Sequence, residues 1–126
     1  MSPLLLICDP RDDYSSSFPF PLKDLGIEVI HVRNGYDCLR AVRLGRPDVL
    51  LLSTDTDSGF LSRLLNDIRN MIAGPPPPEI FLIGEQSPAD LSHRWDIAED
   101  RCFQKPLNVL HVDDLIASAL GSSEVK

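Results

Sequence analysis

Three ionisable side chains in this sequence stand just beyond short apolar runs. Asp9 follows Leu4 to Cys8, Asp55 follows Val49 to Leu52 by way of Ser53 and Thr54, and Lys105 follows Arg101 to Gln104. Each run has the length of a strand, and groups that end parallel strands gather at one edge of a sheet, where α/β proteins keep their ligands. Two carboxylates at such an edge suit a hard divalent cation, with Asp9 and Asp55 as candidate ligands. A lysine beside them suits either an anion or the neutralisation of the acids themselves, and pairing of Lys105 with Asp9 or Asp55 is the simpler reading. The turn from Ser53 to Gly59 otherwise has the composition of a tight loop, with Asp57 placed to cap a helix. His31, His93 and His111 are far apart in the sequence and none has a second His or Cys at i+3 or i+4, which argues against zinc. No glycine-rich phosphate loop follows Asp9-Pro10-Arg11, and no Ser/His/Asp or Cys/His set can be assembled from the strand ends. Neither a nucleotide site nor an enzyme is supported.

The elements that must position these residues are legible in the apolar periodicity. Strand-length runs occur at Leu4 to Cys8, Ile27 to Val32, Val49 to Leu52, Ile80 to Ile83 and Arg101 to Gln104. The first, third and fourth are apolar nearly throughout, as strands covered on both faces are. Between them, Leu61, Leu64, Leu65, Ile68 and Ile72 form one stripe on a helix over Gly59 to Ala73. Tyr36 to Leu44 reads as a shorter helix stopped by Gly45 and Pro47. Ser87 and Pro88 are the cap and first position of a helix through Trp95 and Ala98, and Leu107 to Leu120 forms a C-terminal helix ended by Gly121. Alternating strands and helices predict an α/β fold, a five-stranded parallel sheet sandwiched by helices with right-handed crossovers. The first crossover should be short, broken or displaced, because Pro19 and Pro21 stand where a helix interior would run. Pro75 to Pro78 is a stiff extended lead into the fourth strand.

Composition sets the bounds. The chain of 126 residues carries 12 Lys and Arg against 19 Asp and Glu, a formal charge of −7, and reads as a single domain over residues 1–121 with a disordered tail at 122–126. That charge is the wrong sign for a protein that lives on phosphate backbones or anionic lipid. No apolar run approaches the length of a membrane span and no charged-then-apolar leader precedes the first, so a cytoplasmic chain is expected. Cys8, Cys38 and Cys102 lack metal-ligand spacing and are expected to be buried and reduced.

Taken in order, these segments resemble the receiver domain of two-component response regulators from Leu4 to Leu120. The resemblance is carried by Leu4-Leu5-Leu6-Ile7-Cys8-Asp9, by Val32-Arg33-Asn34-Gly35-Tyr36-Asp37-Cys38-Leu39 and by Arg46-Pro47-Asp48-Val49-Leu50-Leu51-Leu52. Pro78-Glu79-Ile80-Phe81-Leu82 and Lys105-Pro106-Leu107 complete it. It implies a flavodoxin-like (βα)5 fold and, in the family, self-phosphorylation of an aspartate closing the third strand. Magnesium held by first-strand acids, a lysine, a relaying hydroxyl and an aromatic switch support that step.

Carried over residue by residue, the lysine is Lys105 and one acid is Asp9, but the phosphoacceptor position is Ser53. The hydroxyl position holds Ile83 and the switch position Cys102. Asp9 is flanked by Cys8 and Pro10 rather than a second acid, and the turn from Ser53 to Gly59 is shorter than usual for the family. The resemblance thus implies a degenerate receiver, or pseudo-receiver. Such a module would dock a protein partner or pair with itself in signal transduction, without accepting phosphate and without metal or other cofactor. Its partner face would be the fourth helix (residues 88 to 98), the fifth strand and the C-terminal helix (107 to 119), with Trp95 a candidate contact. Homodimerisation would be possible, and neither nucleic acid nor membrane is expected as a partner. Two alternatives stand beside it. One is a phosphoacceptor receiver of a phosphorelay that uses Asp55 with Asp9 and magnesium, and the other is a flavodoxin-like domain that binds a small ligand or metal.

Overall fold

Five short strands, β1 (Leu4–Cys8), β2 (Glu28–Val32), β3 (Val49–Ser53), β4 (Glu79–Gly84) and β5 (Cys102–Gln104), form one sheet in the order β2-β1-β3-β4-β5. Every neighbouring pair is parallel. The computed structural model describes residues 3–10, 24, 26–56, 61–70, 78–105 and 117. Between the strands run α1 (Gly35–Gly45), α2 (Leu61–Arg69) and α3 (Pro88–Trp95), and a 3-10 turn, Glu99–Arg101, leads into β5. The parallel α/β architecture expected from the apolar runs is the one observed.

Alternation along the strands divides the core into two layers. Leu6, Cys8, Leu50, Leu52, Ile80, Leu82 and Cys102 face one way and pack with Cys38 and Val42 of α1, the apolar stripe of α2, and Leu91 of α3. Leu5, Ile7, Val49, Leu51, Phe81, Ile83 and Phe103 alternate with them and are buried as well. Both sheet faces are therefore covered, which is why β1, β3 and β4 are apolar nearly throughout. The Phe81 and Phe103 rings pack between neighbouring strands with centroids 5.6 Å apart.

Local signals place the elements. Asn34 caps α1, its side chain accepting the Asp37 N–H at 2.8 Å, and Ser87 caps α3 by accepting the Asp90 N–H. The Pro47-Asp48 lead-in fixes register: the Asp48 carboxylate accepts the Leu4 N–H at 2.8 Å and the Asp48 N–H donates to the Leu4 carbonyl. The start of β3 is thereby clamped to the start of β1.

Several boundaries differ from the sequence expectation. α1 runs through Gly45, and Arg46, at φ 51°, makes the left-handed turn that ends it. α3 stops at Trp95 rather than Ala98, because Asp96 turns left-handed at φ 57°, donates to the Ser92 carbonyl, and sends Ile97 into the core. Ile27 is buried but precedes β2, and Arg101 belongs to the 3-10 turn. The first crossover with Pro19 and Pro21, residues 57–60 and 71–77, the tail at 122–126 and all of the C-terminal helix except Ala117 lie outside the described residues. Ala117 itself is helical and exposed.

Candidate functional site

The carboxyl ends of β1, β3 and β5 bring Asp9, Asp55 and Lys105 together. Asp9 leaves β1 with its N–H donated to the Val32 carbonyl of β2, so its backbone is an extension of the sheet. Lys105 leaves β5 in the same way, donating its N–H to the Gly84 carbonyl of β4 at 2.6 Å. Its Nζ then lies 2.9 Å from Asp9 Oδ2 and 2.9 Å from Asp55 Oδ2. Asp9 is fully buried, whereas the Asp55 and Lys105 side chains are 22% and 15% exposed. Burial pulls the Lys105 ammonium towards its neutral form. The hydrogen bonds from Asp55 and Asp9 and their charges outweigh it, and the lysine is held above its usual range.

Ser53 ends β3 fully buried, between two strands, and its Oγ accepts the Asp55 N–H at 3.1 Å. The hydroxyl thus shapes the turn that aims Asp55 at Lys105. Ile83 and Cys102, which the resemblance sets at the hydroxyl and switch positions, are both buried. Ile83 gives its carbonyl to the Thr54 N–H, and the Cys102 thiol points to the carbonyls of Ile97 and Ala98. Neither is brought to the carboxylates by these contacts. Burial, then the charges of Glu99 and Asp100, push the Cys102 thiol up to about 11.

Two contributors gave no distinctive sequence signal. Thr56 is buried, donating its hydroxyl to the Cys8 carbonyl at 3.3 Å, which ties the third-strand turn to the end of β1. His31 Nε2 lies 3.0 Å from the Asp9 carbonyl, so the histidine is bound to the back of the site. A threonine in a polar turn and a histidine in an apolar strand look like loop and core residues until the strands are paired. All three cysteines are buried thiols outside any disulfide, and the Cys38 thiol is pushed up by its hydrogen bond to Cys8 and by burial.

A parallel 2-1-3-4-5 sheet with an aspartate at the end of β1 and a lysine at the end of β5 has the architecture of CheY-like response-regulator receiver domains. Solved structures bear out the fold. The receiver domain of an HD domain-containing protein from Pseudomonas fluorescens Pf-5 superposes with TM-score 0.71 at 14% identity, covering all of both chains. A CheY-like receiver from Methylobacillus flagellatus gives 0.68 at 16% identity, over 94% of this chain and 99% of that one. The pseudo-receiver domain of the CikA protein gives 0.58 at 22% identity over all of both chains. At these identities the likeness is one of fold. No protein-family model and no curated protein matches the sequence. Among the described residues no helix is long and apolar enough to cross a membrane.

Proposed function

We propose that this chain is a receiver-like protein-interaction module in signal transduction that works without accepting phosphate and without a metal. One observation carries the reading: the Lys105 ammonium sits within hydrogen-bond distance of both carboxylates that the strand ends supply. A magnesium ion would draw on those same two carboxylates, and an ammonium between them competes for the site electrostatically. The neighbour of Asp9 is Cys8, a soft and poor ligand for a hard cation, whose thiol is engaged with the Asn34 carbonyl and Thr56. Among the described residues, those beside Asp9 and Asp55 make a poor ligand set for the ion. Ser53, at the phosphoacceptor position, offers no carboxylate for an acyl phosphate, and its Oγ is bound to the turn. The pocket reads instead as a structural clamp joining β1, β3 and β5, with one ammonium shared by two carboxylates.

Docking is proposed through α3 (the fourth helix in the sequence count), β5 and residues 107 to 119. Trp95, half-buried on α3 and stacked with the Arg94 guanidinium at 5.1 Å, supplies an amphipathic anchor there. Asp90 and Arg94 are exposed, so Asp90→Arg with Arg94→Glu should leave the circular dichroism spectrum unchanged while abolishing recovery of the partner from extracts of the source organism. Recovery of the same partner by wild type and variant would refute the face. A second reading is favoured by the partial exposure of Asp55 beside Lys105: this carboxylate is the one that could take phosphate in place of Ser53.

A further inference from the structure

Among the described residues, the exposed large apolar side chains are Val29, Ile30, Tyr36 and Leu44, and all four fall on the single β2-α1 unit at one edge of the sheet. On α1 the pattern is periodic. Cys38 and Val42 face the core, whereas Tyr36, Arg40, Arg43 and Leu44, at i, i+4, i+7 and i+8, share an outer face. Tyr36 is 75% exposed and Leu44 73%. With Leu39 these four side chains line an open groove of about 280 Å³. A helix that needs only an inner stripe for folding thus carries two further large apolar side chains, Tyr36 and Leu44, exposed on its outer face.

Charge says what this face is suited to. Arg33, Arg40, Arg43 and Arg46 are four of the chain's 12 basic residues, gathered within one short segment that holds a single acid, Asp37. All four are exposed, and no described residue forms an ion pair with Arg40, Arg43 or Arg46. Arginine forks bind carboxylates in bidentate fashion, and Tyr and Arg side by side are the residue types that dominate binding energy at interfaces. We infer that the outer face of α1 is a second docking surface, distinct from the α3-β5 face, for an acidic peptide segment that places one large apolar side chain in the groove between Tyr36 and Leu44 and its carboxylates on Arg40 and Arg43. A long polyanion such as nucleic acid fits less well. Its phosphates would run beyond the basic patch onto a chain whose net charge is −7.

The test is selection of a phage-displayed random peptide library on the immobilised domain, followed by fluorescence anisotropy of the winning peptide and of a single-stranded oligonucleotide. Enriched peptides should combine Asp or Glu with a large apolar residue. Arg40→Glu with Arg43→Glu should weaken their binding about tenfold or more, and Leu44→Ser should weaken it independently, while Asp90→Arg on α3 leaves it unchanged. Both α1 variants alter exposed side chains, and an unchanged circular dichroism spectrum certifies their fold. Absence of enrichment, enrichment of neutral or basic peptides, binding indifferent to the arginines, or tighter binding of the oligonucleotide would each overturn the inference. Failure of the α3-β5 face leaves these readouts unaffected, so the two proposals fall separately.

Discussion

Lys105 and Asp9 are 96 positions apart in the chain, and Lys105 Nζ rests 2.9 Å from the Oδ2 of the fully buried Asp9 carboxylate. The contact joins the end of β5 to the end of β1 across β3 and β4, with Asp55 as a second acceptor. A buried carboxylate without a counter-charge is strongly unfavourable, so the lysine is a structural requirement of the site whatever else binds there.

Replacing that lysine tests its role. Lys105→Met should destabilise the domain by about 3–5 kcal/mol, the usual consequence of stranding a buried charge. It should also leave Asp9 and Asp55 facing each other, so magnesium or calcium should raise the melting temperature of the variant and leave wild type unmoved. Thermal unfolding with added cation and with EDTA checks both. Equal stabilisation of wild type would show that the ammonium does not hold the cation position.

The pH profile should fall on the alkaline side. Lys105 has a raised affinity for its proton in the folded state, so its contribution is complete below the ordinary lysine range and is lost as pH climbs through and above it. Cys102 acts in the same direction. Its folded value of about 11 lies above the ordinary 9.0, and the stability it contributes declines between the two. Denaturant midpoints should therefore drop from about pH 9 upward, and Cys102→Ala should flatten the first part of the decline. A profile that rises over this range would contradict both assignments.

Gly84 closes β4 where no side chain fits. A Cβ at this position would meet Thr54 Oγ1 at 2.6 Å and Leu91 Cδ2 at 2.9 Å. Gly84→Ala should lower stability by about 1–3 kcal/mol, as overpacking does. Adding Thr54→Ala should recover part of the loss by removing the nearer atom, with Leu91 accounting for the rest. Urea denaturation of the single and double variants reads the coupling.

The sheet was legible in the sequence because burial on both faces leaves strands with no polar positions, and Leu4 to Cys8 or Val49 to Leu52 can be little else. The Lys105 pairing was legible from charge, since Asp9 and Asp55 follow the first and third strand runs and Lys105 follows the fifth. Helix ends were harder to read. α1 and α3 close on Arg46 and Asp96 in left-handed conformations that glycine usually adopts, and the choice is made by tertiary contacts such as the burial of Ile97. Thr56 and His31 were hidden for a related reason. Their hydrogen bonds reach the Cys8 and Asp9 carbonyls across the sheet, and no local pattern encodes a partner 48 or 22 positions away.

A pocket that does not accept a phosphoryl group should stay unmodified when the intact domain is incubated with a small phosphodonor and magnesium and read by intact-mass spectrometry. Wild type and Asp55→Ala should alike keep the unmodified mass. A stable phosphoryl adduct on wild type that disappears in Asp55→Ala would contradict that expectation and install Asp55 as the acceptor.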